Sequence, residues 1–372
     1  MLLTIVAGAR PNFIKIAPII KAIEFAISDH RNISYRLIHT GQHYDKKMSG
    51  DFFDQLGIPM PHNNLACGSG TQAEQTASIM IKFEKELLQY RPNVVLVVGD
   101  VTSTMACAIT AKKLCIDVAH VEAGIRSGDM LMPEEINRIV TDSICDHFFT
   151  TTEDASKTLM HQHSIGASIH FVGNTMIDTL YQNLHKLIQP NFWKKYNLTK
   201  GTFFLLTLHR PCNVDDPESL ALILKNLKNA TKGYSILFPI HPRTSKIIHD
   251  HKINTYDIIL VDPQGYLEFI FLVKNSKCII TDSGGITEEA TVLNIPCLTM
   301  RNNTERPETV YQGTNELVGN DFEKIHFYLK KIIRGNWKKS IIPKYWDGFA
   351  SERIVAILLS KYNKKKNKVT IY

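Results

Sequence analysis

The sequence contains no run of about 18 uncharged apolar residues, so no segment reads as a membrane span. Cysteine is sparse and unpatterned: Cys67, Cys107, Cys115, Cys145, Cys212, Cys278 and Cys297 are odd in number, scattered, and never form CxxC. That excludes a disulfide framework and reads as free thiols, several within apolar runs, in a reducing compartment. The stretch from Leu2 to Ala9 lacks the length and the positive start of a secretory leader, so a cytoplasmic location is expected. Excess positive charge is also scarce once the terminus is set aside. The net charge is +7, but Lys361, Lys364, Lys365, Lys366 and Lys368 lie together with no acid among them. The body is near neutral and has no basic stripe interleaved with aromatics, which gives no footprint for nucleic acid.

The motifs of several chemistries are missing too. No GxGxxG follows a strand pattern, since Gly68-Ser69-Gly70 follows none, so hydride transfer with a dinucleotide is not expected. His161 and His163 fall two apart on a helical pattern and do not share a face. No Cys/His cluster has ligand spacing, so no metal is expected. No GxSxG nucleophile elbow occurs. The reading is of an enzyme or binding protein that needs no cofactor.

What is present is a regular alternation over 372 residues, enough for two domains at about 150 residues each. Short apolar runs read as strands at 2–7, 35–40, 94–99, 118–122, 148–151 and 169–172. Helical patterns lie between them at 12–26, 73–90, 104–114, 134–145 and 155–162. After a linker-like stretch from Gln189 to Gly201 the pattern restarts, with strands at 203–209, 235–241, 258–261, 278–281 and 296–300. Strands apolar on both faces and separated by helices imply parallel sheets covered on two sides. The expectation is an α/β chain of two doubly wound, Rossmann-like domains facing a cleft, 1–173 and 174–351. An apolar run at 354–359 should let a C-terminal helix at about 352–366 pack back on the first domain.

In such sheets, ligands bind beyond the carboxyl ends of the strands. The residues there are unusually polar: Gly8-Ala9-Arg10-Pro11, Gly41-Gln42-His43, Gly99-Asp100, Glu122-Ala123-Gly124, His209-Arg210, His241-Pro242-Arg243 and Asp282-Ser283-Gly284-Gly285. Each alone is an ordinary turn or cap; seven together point to a ligand site. In GARPNFIK, small residues let the backbone approach an anion while Arg10 and Lys15 supply cations. Ser283, Gly284 and Gly285 open a helix carrying Glu288 and Glu289, which suits a diphosphate with ribose hydroxyls one turn on. Arg306 is a further cation. Asp100, Glu122 and Glu134 are acids placed to act as base, acid and cation stabiliser.

The ordered motifs GARPNFIKIAP, TGQHYD, GDVTST, HVEAGIRSGDMLMPEEINR, FVGNTMID, TLHRPCNVD, HPRT, DPQGYLEF, TDSGGITEEA and TERPE resemble the non-hydrolysing UDP-N-acetylglucosamine 2-epimerases over nearly the whole chain. The resemblance implies the glycosyltransferase-B type fold, a homodimer, and catalytic roles for Asp100, Glu122, Glu134 and His209. It implies UDP contacts from Arg10 and Lys15, and from Gln264, Phe269, Ser283, Gly284, Gly285, Glu289 and Arg306. In some members a second substrate molecule binds as an activator, and Gln42, His43, Glu135, Arg210 and His241 match that region. Here the chain departs from those members: Tyr44-Asp45-Lys46 replaces their Arg and Gln, and no arginine lies near Gly68–Thr71. The TGQHYD segment is also similar to a sister group acting on UDP-2,3-diacetamido-2,3-dideoxyglucuronate. The intact Glu305-Arg306-Pro307-Glu308 favours the N-acetylglucosamine group.

The implied chemistry suits the residue set. The proton on C2 of the sugar is barely acidic, because no carbonyl adjoins it. Cleaving C1–O first makes an oxocarbenium ion, which acidifies that proton; cations then stabilise the departing UDP, and carboxylates handle the cation and the proton. Re-addition of UDP to the 2-acetamidoglucal closes the cycle without a redox cofactor. A glycosyltransferase of the same fold, a hydrolysing epimerase, or a non-enzymatic nucleotide-binding module would share the UDP loops. None of them calls for this acidic trio with this opening motif.

Overall fold

The computed structural model describes residues 1–41, 53–162, 167–231 and 233–367. The chain divides into two compact units, Met1–Gln182 with Lys344–Tyr372, and Asn183–Pro343.

Unit 1 is built on strands β1 (Leu2–Ala7), β2 (Ser34–His39), β3 (Asn63–Asn64), β4 (Val94–Val98), β5 (Asp117–Val121), β6 (His147–Thr150) and β7 (Ser168–Phe171). They form one sheet in the order β3-β2-β1-β4-β5-β6-β7, with every pairing parallel. β4 reads VVLVV and is buried throughout, as a central strand covered on both faces must be. The covering helices are α1 (Arg10–Ser28), α2 (Gln72–Gln89), α3 (Thr102–Lys113), α4 (Pro133–Ile144), α5 (Glu153–Gln162) and α6 (Thr175–Asn183). Unit 2 carries β8 (Phe203–Thr207), β9 (Ser235–Pro239), β10 (Ile259–Val261), β11 (Cys278–Thr281), β12 (Cys297–Thr299) and β13 (Asn315–Leu317). Their order is β10-β9-β8-β11-β12-β13, again parallel. Its helices are α7 (Phe192–Lys195), α8 (Pro211–Val214), α9 (Pro217–Ala230), α10 (Pro242–Asp250), α11 (Tyr266–Asn275), α12 (Ile286–Leu293), α13 (Glu308–Tyr311) and α14 (Phe322–Ile333). The chain then returns to unit 1 as α15 (Ala350–Asn367).

Each sheet has one point where successive crossovers run to opposite sides: between β1 and β4 in unit 1, and between β8 and β11 in unit 2. Loops at such a point diverge and leave a crevice at the strand ends. Gly8 and Gly99 follow the first pair of strands; His209 and Asp282 follow the second.

Two strands end two residues short of their expected apolar runs. β8 stops at Thr207 because the His209 and Arg210 amides turn to the Asp282 carboxylate, at 3.1 and 2.9 Å. β9 stops at Pro239, and His241 becomes the N-cap of α10. The crossings between units fall at 182/183 and 343/344, where 173/174 and 351/352 were expected. The reason is α6, which unit 1 holds from two sides. Pro18 within α1 has no N–H, so the Ile14 carbonyl lacks its helical partner; Thr179 Oγ1 donates to it at 2.6 Å. The adjacent Asp178 accepts from the amides of Ala350 and Ser351, at 3.1 and 2.6 Å, which caps α15. Trp346 is fully buried in unit 1, its Nε1 donating to the Thr151 carbonyl at 3.1 Å.

Candidate active site

In unit 1 the loop from β1 to α1 is fixed by Asn12, whose Oδ1 accepts from the Gly8 and Ala9 amides at 3.2 and 3.0 Å. Its Nδ2 donates to the Val98 carbonyl at 2.9 Å and ties the loop to β4. A Cβ on Gly8 would lie 2.0 Å from Ser103 Oγ, so only glycine fits this approach. Arg10 opens α1 and is exposed. Lys15 is buried and forms an ion pair with Glu122 Oε2. Glu122 itself sits in the left-handed region at φ 72°, a conformation that costs a non-glycine residue about 1–3 kcal/mol and that concentrates at functional positions. Gly99 packs beside this pair: a Cβ there would lie 3.3 Å from Lys15 Nζ and 3.4 Å from Glu122 Oε2.

Asp100 follows Gly99 and is half-buried. α4 holds it twice, through an ion pair from Arg138 to its Oδ2 and a 2.8 Å bond from Asn137 Nδ2 to its carbonyl. Arg138 also reaches Glu135 at 2.8 Å. Glu135 is buried, and its two oxygens accept from the Ser127 and Gly128 amides at 2.9 Å each. Burial pushes its carboxyl up, but those amides and Arg138 outweigh it and hold the group below the usual range. Glu134, one residue earlier in the first turn of α4, is half-exposed and makes no ion pair among the described residues. Gln42 and His43 lie outside the described residues.

In unit 2 the centre of the arrangement is Asp282, fully buried at the end of β11. Besides the two amides it accepts from Asn213 Nδ2 at 3.0 Å and pairs with His209 Nδ1 at 2.7 Å. Burial pushes its carboxyl up, but His209, Asn213 and the Arg210 amide outweigh it and hold the group below its ordinary range. The His209 ring is therefore anchored at one nitrogen while its side chain is 59% exposed. Arg210 Nε donates to the Asp282 carbonyl at 3.1 Å, and His241 is exposed at the end of β9.

The next loop, Ser283 to Gly285, leads into α12. A Cβ on Gly284 would lie 2.5 Å from Glu305 Oε1 and 3.2 Å from an Arg306 nitrogen. Those two side chains belong to a buried charge cluster in which Glu305 pairs with Arg301 at 2.8 Å and with Arg306 at 2.9 Å. Arg306 also pairs with Glu288 at 2.8 Å. Burial pushes the Glu305 carboxyl up, yet the two guanidiniums drive it far below the usual range. Glu289 is buried one turn into α12 and accepts from Tyr266 OH at 3.2 Å. Gln264 lines a pocket of about 260 Å³ with Pro190, Phe192, Pro263 and Glu268, and its Nε2 donates to the Asp262 carbonyl at 2.7 Å. Phe269 packs against the core under β8 and β11.

Lys15, Glu122 and the Gly99–Asp100 turn thus lie together in unit 1, and His209, Arg210 and the loop after Asp282 in unit 2, whereas His241 follows β9 and Gln264 follows β10. Sequence reasoning missed those that hold them: Asn12, Asn137, Arg138, Asn213, Arg301 and Glu305. For all but Arg301 the available signal was their position inside the same motifs, as with Arg138 four residues after Glu134.

Among the described residues no group of three or more His, Cys, Asp or Glu could hold a metal ion, and no helix is long and apolar enough to cross a membrane.

The family model for UDP-N-acetylglucosamine 2-epimerase matches residues 26–359. The UDP-N-acetylglucosamine 2-epimerase of Methanocaldococcus jannaschii is 44% identical over 96% of this chain and 99% of that protein. A crystal structure of the M. jannaschii enzyme in complex with UDP-GlcNAc and UDP superposes with a TM-score of 0.86 at 43% identity, covering 97% of this chain and 100% of that one. The UDP-2,3-diacetamido-2,3-dideoxy-D-glucuronate 2-epimerase of Pseudomonas aeruginosa is 40% identical over 86% of this chain and 88% of that protein. The two parallel-sheet α/β units are of the glycosyltransferase-B type.

Proposed function

The chain belongs to the UDP-N-acetylglucosamine 2-epimerase family of isomerases, and we propose that it works by eliminating UDP and adding it back on a 2-acetamidoglucal intermediate. UDP-N-acetylglucosamine and UDP-N-acetylmannosamine are the two ends of the reaction.

Unit 2 holds the nucleotide. The N–H groups of Gly284 and Gly285 at the start of α12 and the Ser283 hydroxyl attract the diphosphate, Arg306 adds a cation, and Glu289 accepts from the ribose. Gln264 and Phe269 take the uracil. His209, anchored through Nδ1 on Asp282, offers Nε2 to a phosphate oxygen as UDP departs. Arg10 and Lys15 are the cations that unit 1 offers to an anion. Asp100, Glu122 and Glu134 stabilise the oxocarbenium ion, remove the C2 proton and return one to the other face.

One observation carries this reading. The switch point of unit 1 presents carboxylates that are already held in place, Asp100 by Arg138 and Glu122 by Lys15. A module that only bound an anionic nucleotide would gain nothing from them. The experiment is conversion of UDP-N-acetylglucosamine in D₂O, followed through the anomeric NMR signals. The epimer should appear with deuterium at C2; an epimer that kept its original C2 hydrogen would rule out elimination. The diacetamido glucuronate substrate is run in parallel, because the Pseudomonas relative acts on that sugar. Faster turnover of it would transfer the assignment to that group. A cytoplasmic homodimer supplying polysaccharide biosynthesis completes the proposal, and sedimentation of the pure protein tests the dimer.

A further inference from the structure

One buried charged assembly has no part in the roles above. His120 lies on β5 with its side chain fully buried. Its Nδ1 is 2.7 Å from Asp142 Oδ1, and its Nε2 is 2.8 Å from the Gly99 carbonyl oxygen. A carbonyl oxygen only accepts, so Nε2 carries a proton. Asp142 Oδ2 accepts from the Gly124 amide at 3.1 Å and from Arg126 at 2.6 Å, which is the pattern of a carboxylate. Burial pushes Asp142 up, but His120 and Arg126 together hold it below its ordinary range. Nδ1 therefore also faces an acceptor. The other titratable groups nearby are Cys145 just after α4, which burial keeps a neutral thiol, with Asp146 and Lys112 beside it, and Lys15 with Glu122 beyond Gly99.

We infer that His120 is a buried imidazolium that, with Asp142, positions both turns carrying the candidate acids. Its Nε2–H pins Gly99, directly before Asp100. Asp142 pins Gly124, two residues after Glu122. α4 supplies Asp142 as well as Asn137 and Arg138, so one helix face fixes the Gly99–Asp100 turn from three side chains. The positive ring balances the Asp142 charge within the core and needs no contact with substrate. It is a positioning residue, and the inference rests on the function proposed above, because the turns matter through Asp100 and Glu122.

The test begins with the wild-type protein carrying ¹⁵N-labelled histidine, with the His120 signals assigned by their loss in His120→Gln. Both ring nitrogens should carry a proton at the pH of the activity assay. A His120 ring with one bare nitrogen there would overturn the inference. Asp142→Asn should lower kcat at least about tenfold while KM and UDP affinity stay within about twofold. A folded Asp142→Asn with unchanged kcat would overturn it equally. Should that variant not fold, His120→Gln decides: its amide can donate to Gly99 but carries no charge, and kcat should fall by a similar factor. Wild-type kcat in that variant would sink the role. The nitrogen spectrum is read without substrate, so a wild-type protein that fails to epimerise would count against the functional reading and leave the spectrum to judge the charge.

Discussion

Lys15 and Glu122 form an ion pair whose side chains are only 8% and 7% exposed, linking the second turn of α1 to the end of β5. One is the expected diphosphate cation and the other an expected catalytic acid. Their contact means that neither side chain can be changed without altering the surroundings of the other. A buried pair contributes little net stability against an apolar replacement, but removing one partner strands a charge.

Lys15→Met should therefore cost about 3 kcal/mol, because Glu122 would remain buried without its cation. The double variant Lys15→Met/Glu122→Gln should lose clearly less than the two single losses added together, since the stranded charge is gone. Denaturant midpoints for the four proteins give the coupling directly. Additive losses would show that the two groups do not depend on each other.

Gly284→Ala should weaken UDP binding by about tenfold or more, as expected when a close backbone approach is blocked. The new Cβ would fall 2.5 Å from Glu305 Oε1, and Glu305 is gripped by two arginines and unable to swing aside. The loop itself would have to move. Titration calorimetry with UDP checks this, and unchanged affinity would mean that the loop does not touch the diphosphate.

Most of the strands were legible because β4, β8 and β11 are apolar on both faces, and that pattern has few other readings. Of the edge strands, β7 and β10 were legible but β3 and β13 were not. β3 is Asn63–Asn64 and β13 is Asn-Glu-Leu; each owes its pairing to a neighbouring strand already in place. The candidate site was legible as strand-end residues, since a doubly wound sheet concentrates ligands there. Its supports were not, for they depend on distant contacts such as Arg138 on Asp100 or Asn213 on Asp282. The place of α6 was equally hidden: nothing local says that Thr179 will satisfy the carbonyl that Pro18 leaves open in another helix.

Acid should destabilise the protein partly through Glu305. Its carboxyl is lowered in the folded state, so its contribution is complete above the unfolded value of about 4.3 and fades as pH falls through the folded value. Asp142 and Asp282, also lowered, act in the same direction. Glu305→Gln should be less stable than wild type near neutrality, and its stability should fall less steeply below about pH 4. Parallel curves for the two proteins across that range would show that Glu305 does not titrate with unfolding.

The three candidate acids differ in what holds them, and that difference separates chemistry from structure. Asp100→Asn weakens the link to Arg138, which still has Glu135. Glu122→Gln removes the buried partner of Lys15. Glu134→Gln breaks no ion pair among the described residues. All three should lose turnover by about a hundredfold, the usual worth of a positioned acid or base. Thermal midpoints should fall most for Glu122→Gln, less for Asp100→Asn, and hardly at all for Glu134→Gln. UDP affinity should hold in Glu134→Gln, because an anion gains nothing from a carboxylate. Glu134→Gln is thus the cleanest probe of the proton transfer. If it kept wild-type turnover, Glu134 would leave the mechanism, and Asp100 and Glu122 would have to handle both the oxocarbenium ion and the C2 proton.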